Sequence, residues 1–232
     1  MKRISMELGG KSPFILLKGA DYEKAIRQCF NSIFLNSGQT CTALSRLIIP
    51  REEKGKIEQL MLKILPEYTV GDPSLETTKI GPVVSYDQWQ TVDTYIAKGM
   101  EEGATLLAGS RPEAPEKGYY VKPVIFTDVT NDMTIAREEI FGPVLCVITY
   151  DTVEEALAIA NDTPYGSMRP SGARIKPKLP KWQRLSCRAM STSTTARDVT
   201  APFGGFKDSG IGREGGKDGM LEFTEPQAIF NA

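Results

Sequence analysis

Cys41 lies in the run Asn36-Ser37-Gly38-Gln39-Thr40-Cys41-Thr42-Ala43, among small polar residues just past a predicted helix. Loops on a rigid scaffold expose their side chains. Small neighbours let a substrate and backbone N–H groups approach the sulfur, which makes Cys41 the candidate nucleophile. A thiol without a role is the plainer alternative for any single cysteine. The chain has no histidine, which excludes a Ser-His-Asp triad, a Cys-His dyad and a His-ligated metal. A general base must then be a carboxylate, a lysine or a tyrosine. Glu7, in Glu7-Leu8-Gly9-Gly10-Lys11, is the candidate, because two glycines let the backbone pass close to a ligand or another segment. A carboxylate in an apolar, partly closed site can have its pKa raised towards neutrality, which suits general-base work. Its alternative is a surface glutamate before a Gly-Gly turn.

Two further patterns carry no chemistry. Gly210-Ile211-Gly212-Arg213-Glu214-Gly215 matches G-x-G-x-x-G, but it follows a polar turn rather than a hydrophobic strand and lacks a following βαβ unit, so dinucleotide binding there is rejected. Cys29, Cys41, Cys146 and Cys187 include no C-x-x-C pair, which argues against a metal site and a disulfide scaffold.

The elements that must position these residues alternate. Pro13 to Leu17 reads as a buried strand, and Asp21 caps a helix whose Ala25, Ile26, Cys29, Phe30, Ile33 and Phe34 share one face. Leu47-Ile48-Ile49 predicts a strand, followed by helices over about 52–65 and 87–102. Strand-like segments at Ala104 to Ala108, Tyr119 to Phe126 and Val144 to Tyr150 precede a helix opened by Thr152 with Glu155, in capping-box form. Leu221-Glu222-Phe223-Thr224 closes the chain as a predicted strand. This alternation predicts an α/β fold, a mainly parallel sheet with helices on both faces. No internal repeat is visible.

Composition narrows the partners. The 232 residues carry a net charge of -1 with 25% charged residues, which gives no electrostatic reason to bind nucleic acid or an anionic membrane. The sequence contains neither an apolar run of membrane-spanning length nor a signal-type start, so a cytoplasmic site is expected. From Ser167 to Arg197 the character changes: eight Lys or Arg, no Asp or Glu, and prolines at 170, 177 and 180.

Three separated motifs then coincide with one family. Glu7-Leu8-Gly9-Gly10-Lys11-Ser12-Pro13, Gly38-Gln39-Thr40-Cys41 and Glu138-Glu139-Ile140-Phe141-Gly142-Pro143 resemble the signature segments of the aldehyde dehydrogenase superfamily, in its order and spacing. Pro202-Phe203-Gly204-Gly205-Phe206-Lys207 with Ser209-Gly210 is similar to a fourth, and Gly71-Asp72-Pro73 and Ile80-Gly81-Pro82 also resemble the family.

The resemblance implies oxidation of an aldehyde to a carboxylic acid with NAD or NADP. Cys41 attacks the aldehyde to give a thiohemiacetal, which becomes a thioester. Glu7 activates the hydrolytic water, the N–H of Cys41 supplies half of an oxyanion hole, Glu139 holds the nicotinamide ribose and Phe141 packs beside the nicotinamide. No metal is implied. The alternative for Glu139 is a surface carboxylate that caps a helix or pairs with a cation.

By the resemblance, the chain is expected to be the family's C-terminal catalytic portion, with the N-terminal dinucleotide-binding domain missing and with it the asparagine that completes the oxyanion hole. The expected layout is a catalytic domain over 1–220 and an oligomerisation strand over 221–232, with a homo-oligomer as the assembly and the isolated chain inactive. Residues 167–197 have the family's length but not its composition. Codons chosen for Ala189 to Thr194, read from their third bases, give a peptide resembling the family's strand there, which suggests compensated frame changes at about 167–194. Two other functions stay open: cofactor-free acyl transfer by Cys41 and Glu7, or an inert fragment that acts only by pairing strands with another subunit.

Overall fold

The computed structural model describes residues 4–113, 115, 117–166, 200, 202–225 and 227–228. The frame-change expectation for 167–194, and the altered composition around it, fall outside the described residues.

A five-stranded sheet organises the chain. Its strands are β2 (Pro13–Ile15), β3 (Arg46–Pro50), β4 (Thr105–Ala108), β5 (Val124–Thr127) and β6 (Val144–Tyr150). They lie in the order β2-β3-β6-β5-β4, with β2, β3, β6 and β5 parallel and β4 antiparallel at one edge. The expected α/β class with a mainly parallel sheet is what forms.

The period-2 alternation of the strands sorts the core into two faces. Leu47, Ile49, Ile125, Leu145 and Val147 point to one face. There they bury against α1 (Tyr22–Ile33) and α2 (Lys54–Ile64). Val124, Phe126, Val144, Cys146 and Ile148 point to the other face, against α3 (Tyr86–Glu101) and α4 (Thr134–Arg137). Ile15, Ile48 and Tyr150 meet α5 (Val153–Asn161). The helix face predicted from Ala25 to Ile33 is buried, with Cys29 fully enclosed. Asp21, Ser85 and Thr152 cap α1, α3 and α5 by accepting from backbone N–H groups. The carboxylate of Glu155 reaches back to Asp151 N rather than to Thr152.

Buried Arg46 fastens α5 to the sheet. Its guanidinium donates to Lys11 O, Asn131 Oδ1, Ile159 O and Ala160 O at 2.9–3.1 Å. The last two carbonyls end α5, where the helix dipole is negative. Burial pulls its pKa down to about 10.

Short strands finish the fold: β1 (Met6–Glu7) pairs antiparallel with β9 (Gly210–Ile211), and β7 (Tyr165–Gly166) with β8 (Phe206–Lys207). The loop that matched G-x-G-x-x-G thus holds the Glu7 segment as a strand partner. Two expected strands differ. The strand predicted from Tyr119 starts at Val124, since Pro123 has no N–H to give a ladder. Leu221 ends a helix, α6 (Gly216–Leu221), instead of opening a strand. Phe223 N and Thr224 N close turns onto Met220 O and Leu221 O, and Phe223 is exposed. Local turn bonds take the backbone groups that a strand would have offered to a partner.

Candidate active site

Each of the three motifs precedes a parallel strand. Gly9-Gly10-Lys11 leads into β2, Cys41 into β3, and Glu139-Ile140-Phe141-Gly142-Pro143 into β6. Because β2, β3 and β6 are neighbours in register, their amino ends bring the motifs together. In open α/β sheets ligands commonly lie beyond the carboxyl ends; this candidate site lies at the opposite edge.

Gly10 is the point of closest contact. Its N–H donates to Glu139 Oε1 at 3.0 Å. A Cβ at Gly10 would come within 3.0 Å of Cys41 O, and one at Gly9 would collide with the Glu139 carboxylate. Only glycine allows the three segments to touch there. Gly38, at φ 80°, backs onto Gly142 and Pro143 in the same way. A small cleft opens between these loops, lined by Gly10, Thr40, Ala43, Glu139, Phe141 and Gly142 among others.

Cys41 is half-buried, whereas Cys29 and Cys146 are buried. Burial raises the Cys41 pKa, and the nearby negative charges of Glu7 and Glu139 raise it further. The N–H groups of Cys41 and Thr42 act in the other direction, since they are aimed at the sulfur. Those donors also suit an oxygen that turns negative beside the sulfur.

Glu7 is exposed on β1. The half-buried carboxylate is Glu139: burial raises its pKa, while the Gly10 N–H and the charge of Lys11 lower it. The desolvated environment expected for Glu7 therefore belongs to Glu139. Phe141 adopts φ 56° and is 38% exposed. Its carbonyl and that of Ile140 accept from Gln88 Nε2 at 2.9 and 3.0 Å.

Sequence reasoning missed two groups. Lys11 is 1% exposed, lines the cleft, and its Nζ has no hydrogen-bond partner among the described residues. Its pKa is lowered, first by burial. The second is Gln88. A lysine amid buried strand residues was a usable signal for the first; the second gave none. Among the described residues, no group of three or more His, Cys, Asp or Glu could hold a metal ion, and no helix is long and apolar enough to cross a membrane.

A thiol, two carboxylates and an accessible aromatic ring thus gather at the amino ends of the parallel strands. The chain belongs to the aldehyde dehydrogenase family, whose model ("Aldehyde dehydrogenase family") matches residues 1–229. Relatives in Staphylococcus saprophyticus and Staphylococcus haemolyticus, whose names place them with the aldehyde dehydrogenases, are 44% and 43% identical over 231 residues, 98% of this chain and 49% of each relative. Among solved structures, a mutant of aldehyde dehydrogenase C from Pseudomonas syringae with NAD+ and octanal matches with a TM-score of 0.86 at 40% identity, over 98% of this chain and 48% of that one. A Mycobacterium tuberculosis aldehyde dehydrogenase with NAD+ matches with a TM-score of 0.84 at 42% identity, over 95% of this chain and 46% of that one.

The chain thus spans about half the length of the relatives it matches. That corrects the expectation of a C-terminal portion with an N-terminal domain missing: the family match starts at residue 1 and runs to residue 229, across the unusual segment as well. Family membership over half a relative's length is retained, and the C-terminal placement with its missing domain is withdrawn.

Proposed function

We propose that this protein takes part in oxidising an aldehyde to a carboxylic acid with NAD or NADP, with Cys41 as nucleophile and Glu7 as base. The meeting of the Glu7, Cys41 and Glu139 segments at Gly10 carries this reading. Solved relatives were crystallised with NAD+, one of them together with octanal.

The Cys41 sulfur adds to the aldehyde carbon, and the N–H groups of Cys41 and Thr42 stabilise the charge on the former carbonyl oxygen. The nicotinamide, when bound, supplies the oxidant by accepting hydride. Phe141 offers an exposed ring for it to pack on, and Glu139 a half-buried carboxylate for a ribose hydroxyl. Those residues fit such a group, since both open onto one cleft. The resulting thioester at Cys41 is hydrolysed by a water whose proton Glu7 takes. Exposed on a two-residue strand, Glu7 can reach solvent water and pass the proton on.

The experiment incubates purified protein with a short aldehyde and NAD+, following NADH and the mass of the Cys41 peptide. An acyl adduct on Cys41 is expected, lost in Cys41→Ala and accumulating in Glu7→Gln. Adducts on another residue, or NADH formation that survives Cys41→Ala, would overturn the reading. Cys41-dependent hydrolysis of an activated ester without NADH would instead support cofactor-free acyl transfer.

A further inference from the structure

The loops bearing Cys41 and Phe141 share more than their mutual contact. Of the five non-glycine residues with positive φ among the described residues, three lie in these two loops: Asn36, Ser37 and Phe141. Left-handed backbone at such residues persists only where its surroundings hold it. Ser37 and Phe141 bond directly to one segment, residues 81–88, and Asn36 is linked to it through Gln39.

Ser37 is 4% exposed and donates Oγ to Gly81 O at 2.8 Å. The Gln39 amide uses both of its ends: Oε1 accepts from Val84 N at 2.9 Å, and Nε2 donates to Asn36 O at 3.0 Å. Asn36 Nδ2 answers by donating to Gln39 O at 3.0 Å. Four residues after Val84, in the first turn of α3, Gln88 has its own N–H capped by Ser85 Oγ at 3.2 Å. Its side chain spans the carbonyls of Ile140 and Phe141.

We propose that residues 81–88 are a common brace for the two loops, with Gln39 and Gln88 as positioning residues that keep the Cys41 sulfur and the Phe141 ring in one register. This rests on the reading of Cys41 as nucleophile given above. The N–H groups of Cys41 and Thr42 point at the sulfur only while the loop keeps its turn, and the Gln39 amide links that turn to Val84. Gly38 packs on Gly142, so a shift in the Phe141 loop also reaches the cysteine loop. The Ile80-Gly81-Pro82 motif acquires a purpose in this arrangement: it carries an acceptor for one loop and leads into the helix that holds the other.

The test measures the rate of Cys41 alkylation by iodoacetamide against pH in the full chain, read by peptide mass spectrometry. Gln39→Met should slow Cys41 near neutral pH by about tenfold and move the titration midpoint upward, since the N–H donors leave the sulfur facing Glu7 and Glu139. Gln88→Met should slow it by about threefold through the Gly38 contact. Gln39→Glu keeps the acceptor for Val84 N and should fall between wild type and Gln39→Met. An unchanged rate and midpoint in either methionine variant overturns the brace. Labelling of buried Cys29 and Cys146 reports loss of fold; if Gln39→Met shows it, Gln39→Glu decides, a wild-type rate again overturning the proposal. Wild-type protein that labels Cys29 or Cys146 ahead of Cys41 would sink the nucleophile reading instead, a separate outcome.

Discussion

The backbone N–H of Gly10 donates to Glu139 Oε1 at 3.0 Å, across 129 positions of sequence. The same glycine has no room for a Cβ because the Cys41 carbonyl lies against it. One small residue thus fixes the separation between a thiol loop and a carboxylate.

Gly10→Ala should therefore lower both stability and thiol reactivity. The added methyl meets backbone, which cannot swing aside as a flexible side chain does, so overpacking should cost about 1–3 kcal/mol. Urea unfolding checks the first effect and iodoacetamide labelling of Cys41 the second. An alanine variant equal to wild type in both would contradict the close approach.

Glu139→Gln should lower the Cys41 pKa. Burial holds the thiol pKa up first, then the negative charges of Glu7 and Glu139. Removing one charge leaves burial and Glu7, so the thiolate forms at lower pH and alkylation speeds up near neutrality. The amide oxygen can still accept from Gly10 N. The pH profile of Cys41 alkylation reads the shift; a midpoint displaced upward would refute it.

Lys11 makes stability depend on pH. Burial lowers its folded pKa below the ordinary 10.5, so in the interval between the two values the unfolded chain binds more protons than the folded one. Stability then rises with pH through that interval, is fully present above the unfolded pKa, and is lost as pH falls through the folded one. Lys11→Met removes a buried amine without a hydrogen-bond partner among the described residues and roughly keeps its volume. The variant should be more stable by about 1–3 kcal/mol at neutral pH and lose this slope. Urea midpoints at several pH values check both; a destabilised variant would mean that the ammonium is paired in solution.

Much of the fold was legible because local signals agreed with the tertiary outcome. Asp21, Thr152 and the 3.6-residue spacing of Ala25 to Ile33 mark helices whatever surrounds them, and the apolar runs at Pro13, Leu47 and Val144 mark strands buried on both faces. Leu221 to Thr224 misled because four residues of alternating polarity do not reveal whether a partner strand exists. At the site, residue types alone singled out Cys41 and Glu7: no histidine competes, and small residues surround the sulfur. What sequence could not decide is adjacency. Nothing local says that β6 inserts beside β3, about a hundred residues earlier in the chain, so nothing local says that Glu139 meets Gly10. Nor could it assign the buried environment, which was expected for Glu7 and belongs to Glu139. Desolvation depends on which segments close over a group, and that is fixed only when parallel strands align their amino ends and gather three loops at one edge.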